Sequence, residues 1–510
     1  MNLNLFSLLV GCLPKPIELK LADSTILTIN EVVRLVPNKR LVCRAFWQGE
    51  AVYAKLFIGA DASKYAIRDK QGVEKLVNAN IATPALLNAS FTDEAQILIF
   101  QAIPNNGNAE DSYKMLLQQQ QNTTVNHAKQ NYLTQQASCY EARLGLMQAI
   151  TIAVARLHQA NLLQTDLYLK NFLVNDGLVY TLDGDGIRSC SVLFKHHQKS
   201  KNLATLFSKM DAIDDDWIAP LYVSYCEQTG CKYSPFDYTK IWSHTQTIRR
   251  QAASNYADKK VFRTCTDVAV HQNTNEYIAV SNSFIYENQS IENIDALLLA
   301  SEQRIKSGNT CTVAMADIAG NKVVIKRYNI RNFWHGLKRG FKQSRAAKSW
   351  ANAHRLKLLD IATPAPLALL EQRFWIFKKR TYFIAQYVDA PDIKQFFSQN
   401  IEKSIKEQVA YKVALLFYKL SLLNISHGDC KASNIKIADL KPVLLDLDSM
   451  RAHSCAWWFE RKHIKDLKRF MQNWKDDAQT TAIFKEAFEL AYDETDDFQL
   501  ASLLERAGIA

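Results

Sequence analysis

The chain has 510 residues, 62 basic and 51 acidic, giving a net charge of +11 and a pI near 9.0. At about 150 residues per domain this length excludes a single small module and predicts two to four domains. A hydrophobic fraction of 48% and an aromatic fraction of 10% can fill real cores, and 16 glycines fall well below average usage. A largely disordered chain and a collagen-like or glycine-linker architecture are thereby excluded. The positive balance points to an anionic partner: nucleic acid, a phosphorylated substrate or a membrane surface.

Residues 5–13 form an apolar run in which Leu9-Val10-Gly11-Cys12 resembles a lipoprotein cleavage box. No Lys or Arg precedes it and it is short for an export signal, so a buried first strand or helix is expected. The ten cysteines are scattered, with no Cys-x-x-Cys pair and no zinc-finger spacing, which fits a reducing cytosol. No run of 18 apolar residues predicts a membrane-spanning helix.

The first short β-branched run, 51–57, carries Lys55 in Val52-Tyr53-Ala54-Lys55. A helical segment leads to Ile81-Ala82-Thr83-Pro84-Ala85, then to a strand at 96–103. Residues 118–136 are rich in Gln and Asn and read as a surface insertion or polar helix. An apolar helix over 140–159 precedes Gln164-Thr165-Asp166-Leu167-Tyr168-Leu169-Lys170-Asn171, and Asp183-Gly184-Asp185-Gly186 follows. A boundary falls within 245–275, where 249–260 is polar and also fits a last helix of the first half.

The same order then returns. A strand at 322–328 carries Val323-Val324-Ile325-Lys326, Ile361-Ala362-Thr363-Pro364-Ala365 repeats the earlier break, and a strand at 381–388 and a helix at 405–423 follow. His427-Gly428-Asp429-Cys430-Lys431-Ala432-Ser433-Asn434 and Leu444-Leu445-Asp446-Leu447-Asp448 close the series. Asp166, Asn171, Asp183, Asp185 and Arg188 recur as Asp429, Asn434, Asp446, Asp448 and Arg451, every pair offset by 263. Two copies of one domain are expected, at 1–255 and 270–510. Strands first and helices later predict an α+β fold in each, with a small sheet-rich lobe and a larger helical lobe.

An Asp five residues before an Asn, a further Asp 12 residues on, and a strand Lys far upstream match the protein-kinase signature. Phosphoryl transfer needs these types: Asp429 to accept the hydroxyl proton, Asn434 and Asp446 to hold Mg²⁺, Lys326 to pair with ATP phosphates. Asp166, Asn171, Asp183 and Lys55 repeat those roles. Asp448 stands where the glycine of D-F-G would be.

Lys326-Arg327-Tyr328-Asn329 through Ser344-Arg345-Ala346, with Trp350-Ala351-Asn352-Ala353-His354-Arg355-Leu356 and Ile361-Ala362-Thr363-Pro364, resembles the bacterial lipopolysaccharide kinase family of Kdo and heptose kinases. The resemblance covers 300–470 well and 45–205 more weakly. It implies two tandem protein-kinase-like bilobal domains and ATP- and Mg²⁺-dependent phosphorylation of a core sugar, heptose first. The setting it implies is the cytoplasmic face of the inner membrane, with the core glycolipid as acceptor. It also implies a helix acid beside the strand Lys: aligning on Ile-Ala-Thr-Pro places Asp69 there for Lys55, but Ser349 for Lys326. The first copy has Gln164 where the second has His427, so each copy is expected to lack a different supporting part. No G-x-G-x-x-G loop is present; 40–49 and 307–310 are the expected phosphate-covering turns.

Residues 326–359 hold ten Lys/Arg and no acid, interleaved with aromatics, and without them the chain is within one charge of neutrality. This stretch is expected to meet an anionic membrane or phosphorylated glycolipid; no nucleic-acid motif accompanies it. A second basic stretch, 461–475, with Trp457, Trp458 and Trp474, would extend that surface. Competing readings are a kinase of the same fold acting on a protein or small-molecule hydroxyl, and a binding scaffold of two pseudokinases.

Overall fold

The computed structural model describes residues 11–36, 39–91, 95–104, 107–122, 129–284, 291–300, 304–308, 311–328, 343–374, 377–493 and 498–509. The chain divides into two compact units, Met1–Met210 with Trp217–Thr245, and Asp211–Asp216 with Gln246–Ala510. Leu9 and Val10 of the lipoprotein-like box lie outside the described residues. The expected α+β class is what each unit shows.

The first unit opens on a six-stranded antiparallel sheet. Its spatial order is Gly11–Lys20, Ile26–Val36, Arg40–Trp47, Glu50–Phe57, Gln96–Gln101, Leu86–Phe91. Alternation sets the faces: Val52, Ala54 and Leu56 are buried, and Lys55 lies on the opposite face of the strand. The stretch 40–49, expected to cover phosphate, is instead a strand closed by a hairpin turn, because Arg40–Trp47 pairs residue for residue with Glu50–Phe57. The helix Ala62–Asn78 lies between sheet strands in the sequence. Helices Ala109–Asn122 and Lys129–Gln159, two short strand pairs and helices Lys195–Phe207 and Ile218–Thr229 complete the unit. The Gln/Asn-rich stretch is helical at its described positions; 123–128 lie outside them. The polar segment 249–260 falls largely in the helix Pro235–Asp258.

In the second unit seven antiparallel strands run in the order Val268–Gln272, Glu276–Ser281, Pro366–Phe374, Phe377–Gln386, Asn321–Tyr328, Cys311–Ile318, Arg304–Gly308. Val323 and Ile325 are buried while Lys326 takes the opposite face. Helix Arg345–Leu358, capped by the Ser344 side chain, follows. Its helical part is cored by Phe417, Phe470, Phe484 and Phe488, with ring centroids 5.0 to 6.0 Å apart. Among the described residues no helix is long and apolar enough to cross a membrane.

The first unit allows one very close backbone approach. A Cβ on Gly72 would lie 1.9 Å from the Gly184 carbonyl oxygen, so only glycine lets the helix touch the turn Gly184–Gly186. Gly72→Ala is expected to destabilise this unit by about 3 kcal/mol, the upper end of overpacking costs. Gly145→Ala, with nothing near the new methyl and a helical backbone, should be neutral or mildly stabilising. Thermal melting of the full chain compares the two.

Two buried histidines make the second unit acid-sensitive. His463 packs against Phe417 and Phe459, and burial pushes its pKa down to about 3. His354 lies against Trp350, and burial, aided by Lys357, pushes it down to about 4. Both are neutral when folded but take a proton near pH 6.5 when unfolded, so the unfolded state holds more protons below that value. Stability is therefore full above pH 6.5 and falls on acidification, by roughly 1.4 kcal/mol per histidine per pH unit. Urea titrations at pH 7 and pH 5 should show this fall, and His463→Phe should flatten it.

Candidate active site

Two short stretches build the catalytic-loop geometry in the second unit. The Asn434 Nδ2 donates to the Asp429 carbonyl at 2.8 Å and to the Asp429 carboxylate at 3.3 Å. Leu445 N donates to Asn434 O at 2.8 Å, tying this loop to the strand that ends at Asp446. Asp446 itself has left-handed backbone angles, φ 58° and ψ 60°, which cost a non-glycine residue energy and mark functional turns. The Lys326 ammonium binds the Asp446 carboxylate and lies 3.4 Å from Asp448. Burial works against the Lys326 charge, and Tyr328, Asp446 and Asp448 outweigh it and hold its pKa above the ordinary lysine value.

Lys326 thus has acidic partners, although the helix supplies none. Ser349, at the expected acidic position, is buried and hydrogen-bonded to the Tyr328 hydroxyl at 2.9 Å. Asp448 is held by Arg345 at 2.7 Å. Asp429 is bound by Arg469 at 2.6 Å, with Lys431 at 3.7 Å. Beneath the loop, the buried Asp466 accepts from His427 N at 2.7 Å and from Gly428 N at 2.9 Å. Burial raises the Asp466 pKa, and those two N–H groups oppose it.

The first unit repeats the two bonds that close the loop. Asn171 Nδ2 donates to Asp166 O at 2.7 Å, and Leu182 N to Asn171 O at 2.8 Å. Asp183 is again left-handed, φ 66° and ψ 79°. Lys55 lies 2.7 Å from the buried Asp69 and 3.2 Å from Asp183. Burial opposes the Lys55 charge, but Asp69 and Asp183 raise its pKa. Gln164 is not a lost part: its Nε2 donates to Leu182 O at 2.9 Å, the same bond His427 Nε2 makes to Leu445 O at 2.8 Å.

One difference is chemical. Arg40 lies across Asp183 at 3.2 and 3.4 Å, and with Lys55 it holds that carboxyl well below the usual range against the burial that raises it. The strand position that matches Arg40 in the second unit is Cys311, so Asp446 has no such guanidinium there.

Sequence reasoning missed Arg40, Asp466, Arg469 and Arg345. Asp466 carried a signal, being the one acid in 461–475. The basic stretch 326–359 is less free than its composition implies: Lys326, Arg327, Arg345 and Arg355 all pair with acids beyond it, Asp446, Asp295, Asp448 and Asp258. Residues 329–342 of that stretch, and 309–310 of the second expected phosphate turn, lie outside the described residues. Trp474 is buried rather than part of a surface, whereas Trp457 and Trp458 are half-exposed.

The described contacts thus bring a strand lysine onto the carboxylates that follow a D-x-x-x-x-N loop. Residues 297–492 match the lipopolysaccharide kinase (Kdo/WaaP) family. The enzyme class is accordingly an ATP-dependent kinase, and the family implies a core sugar of lipopolysaccharide as acceptor. No curated protein matches the chain. Among solved structures, WaaP in complex with acyl carrier protein is similar at 13% identity and a TM-score of 0.31, over 42% of this chain and 90% of that one.

Proposed function

We propose that the second unit phosphorylates a heptose of the lipopolysaccharide core from Mg·ATP at the cytoplasmic face of the inner membrane. The observation that carries this is the joint placement of Asp429, Asn434, Asp446 and Lys326 within the region that matches the family. Asp429 is the base that takes the acceptor hydroxyl proton as the oxygen attacks phosphorus. Lys326 releases Asp446 to pair with the α- and β-phosphates, an exchange of one anion for another.

The donors fit Mg²⁺. Asn434 spends its nitrogen on Asp429, leaving its amide oxygen for a cation, and the Asp446 side chain is 33% exposed. Among the described residues no group of three or more His, Cys, Asp or Glu could hold a metal by itself. That suits an ion bound through one carboxylate, substrate phosphates and water. Bound there, Mg²⁺ would neutralise charge developing on the phosphates.

The first unit belongs to a second copy of the same domain, the two copies spanning 1–255 and 270–510 of the sequence. Its support lies in the backbone: Asn161, Asp176, Gly177 and Asp183 have positive φ, as do Asn424, Asp439, Leu440 and Asp446, each offset by 263. Arg40 on Asp183 favours a non-catalytic copy, since its guanidinium already supplies the positive charge a metal would bring. The half-exposed Trp457 and Trp458, with Arg461 stacked 4.3 Å over Trp457, would suit contact with an anionic membrane surface.

The test is mass spectrometry of core lipopolysaccharide from a strain lacking the protein, with turnover of labelled ATP by the purified chain on dephosphorylated core. Loss of one phosphate from a heptose, restored by the enzyme, is expected. Labelling of protein or of a small molecule alone would replace the acceptor.

A further inference from the structure

The second unit holds an open cavity of about 590 Å³ lined by the helix Arg345–Leu358, the start of the catalytic loop and the segment after Asp446. Gly428, adjacent to Asp429, is in its wall, but Asp429, Asn434 and Lys326 are not among its lining residues. Five cations line it: Arg345, Lys348, Arg355, Arg451 and Lys462. Two acids do, and both are already matched, Asp448 to Arg345 at 2.7 Å and Asp258 to Arg355 at 2.5 Å. Arg451 and Lys462 have no carboxylate within ion-pair distance among the described residues, and both are exposed. Their charge is felt locally: burial and then these two cations lower the His453 pKa.

Arg355 is only 5% exposed and is fixed in the wall by Asn352 and Asp258. The wall is also rigid where it matters: Asn352 Nδ2 donates to Leu447 O at 2.9 Å and Met450 O at 3.0 Å, pinning the segment that carries Arg451 to the helix that carries Arg345.

We propose that this cavity is a binding site for a phosphomonoester, separate from the site for the transferred phosphate. Two uncompensated cations match the charge of about −2 that such a group carries at neutral pH. The Arg451 guanidinium offers its tetrahedral oxygens a fork, and Lys462 adds a point charge from a second element. Because Gly428 joins the wall to the catalytic loop, an occupant would brace the loop against the helix. The phosphate comes either from an acceptor saccharide that already carries one or from a free small molecule; the chemistry of recognition is the same. This inference stands apart from the kinase reading, since binding is measured without ATP.

The experiment is equilibrium dialysis of the full chain with labelled inorganic phosphate, without ATP or metal. Saturable binding is expected, weakened at least tenfold in R451Q/K462Q, whose melting temperature should match the parent protein's because both side chains are exposed and unpaired. R451K tests the fork and should weaken binding less than the double variant. A phosphorylated core saccharide that binds tighter than phosphate, and loses this on phosphatase treatment, identifies the acceptor as source. Equal binding of the two identifies a free phosphate compound. Absence of saturable binding at millimolar phosphate, or binding unchanged in the double variant, overturns the proposal whether or not the chain turns over ATP.

Discussion

Asp429→Asn is expected to lower phosphoryl transfer by about 10³-fold while the ATP KM stays within about twofold, the range a positioned general base contributes. The substitution keeps the shape of the side chain, and the backbone carbonyl that accepts from Asn434 at 2.8 Å is untouched. What it removes is the only carboxylate on the loop that can take the acceptor proton, together with the charge that holds Arg469 at 2.6 Å. A fall in kcat with ATP binding retained separates this from collapse of the nucleotide site. Asp166→Asn is the matched control. Arg40 and Lys55 already occupy Asp183 in that unit, so turnover should change less than twofold. The reverse outcome, with Asp166→Asn silencing the chain and Asp429→Asn tolerated, would move catalysis to the first unit.

What could be read from the chain was local. The Asp-to-Asn spacing is legible because the bond it makes, Asn434 to the Asp429 backbone, closes within five residues, and Asn171 repeats it to Asp166. Strand alternation places Lys55 and Lys326 for the same reason. Partners brought in from afar were not legible. Arg40 reaches Asp183 across 143 residues and Arg345 reaches Asp448 across 103, and spacing carries no trace of such contacts. Composition misled where it counted charge without pairing: Arg327, Arg345 and Arg355 look like an open basic surface until Asp295, Asp448 and Asp258 are placed beside them. Gln164 misled differently. A change of residue type read as a lost function, yet its amide makes the carbonyl bond the histidine makes.

Asp466→Ala should be the most damaging single change to the second unit outside the reacting groups. Its carboxylate accepts from two consecutive backbone N–H groups, His427 at 2.7 Å and Gly428 at 2.9 Å, and the residue is 4% exposed. Each donor left unmade in a buried setting costs about 1–3 kcal/mol, so the pair predicts a loss of roughly 2–6 kcal/mol. Gly428 cannot relax easily: its φ is +81°, and the Ser449 carbonyl lies 2.8 Å from where a Cβ would be. The loop that presents Asp429 is therefore held from below by one side chain on the helix Ala456–Met471. Asp466→Asn is the informative companion, because its amide has one acceptor oxygen for two donors and turns an N–H towards the other. It should recover part of the stability but leave kcat low. In the first unit the matching position is Leu203, buried in the core, and Asn202 instead donates to Gln164 O at 2.9 Å. Asn202→Ala should thus cost less, about 1 kcal/mol for one such bond. Urea denaturation of the three variants, followed by tryptophan fluorescence and paired with ATP turnover, checks the order. Equal losses for Asp466→Ala and Asn202→Ala would show that the carboxylate is not what holds the loop.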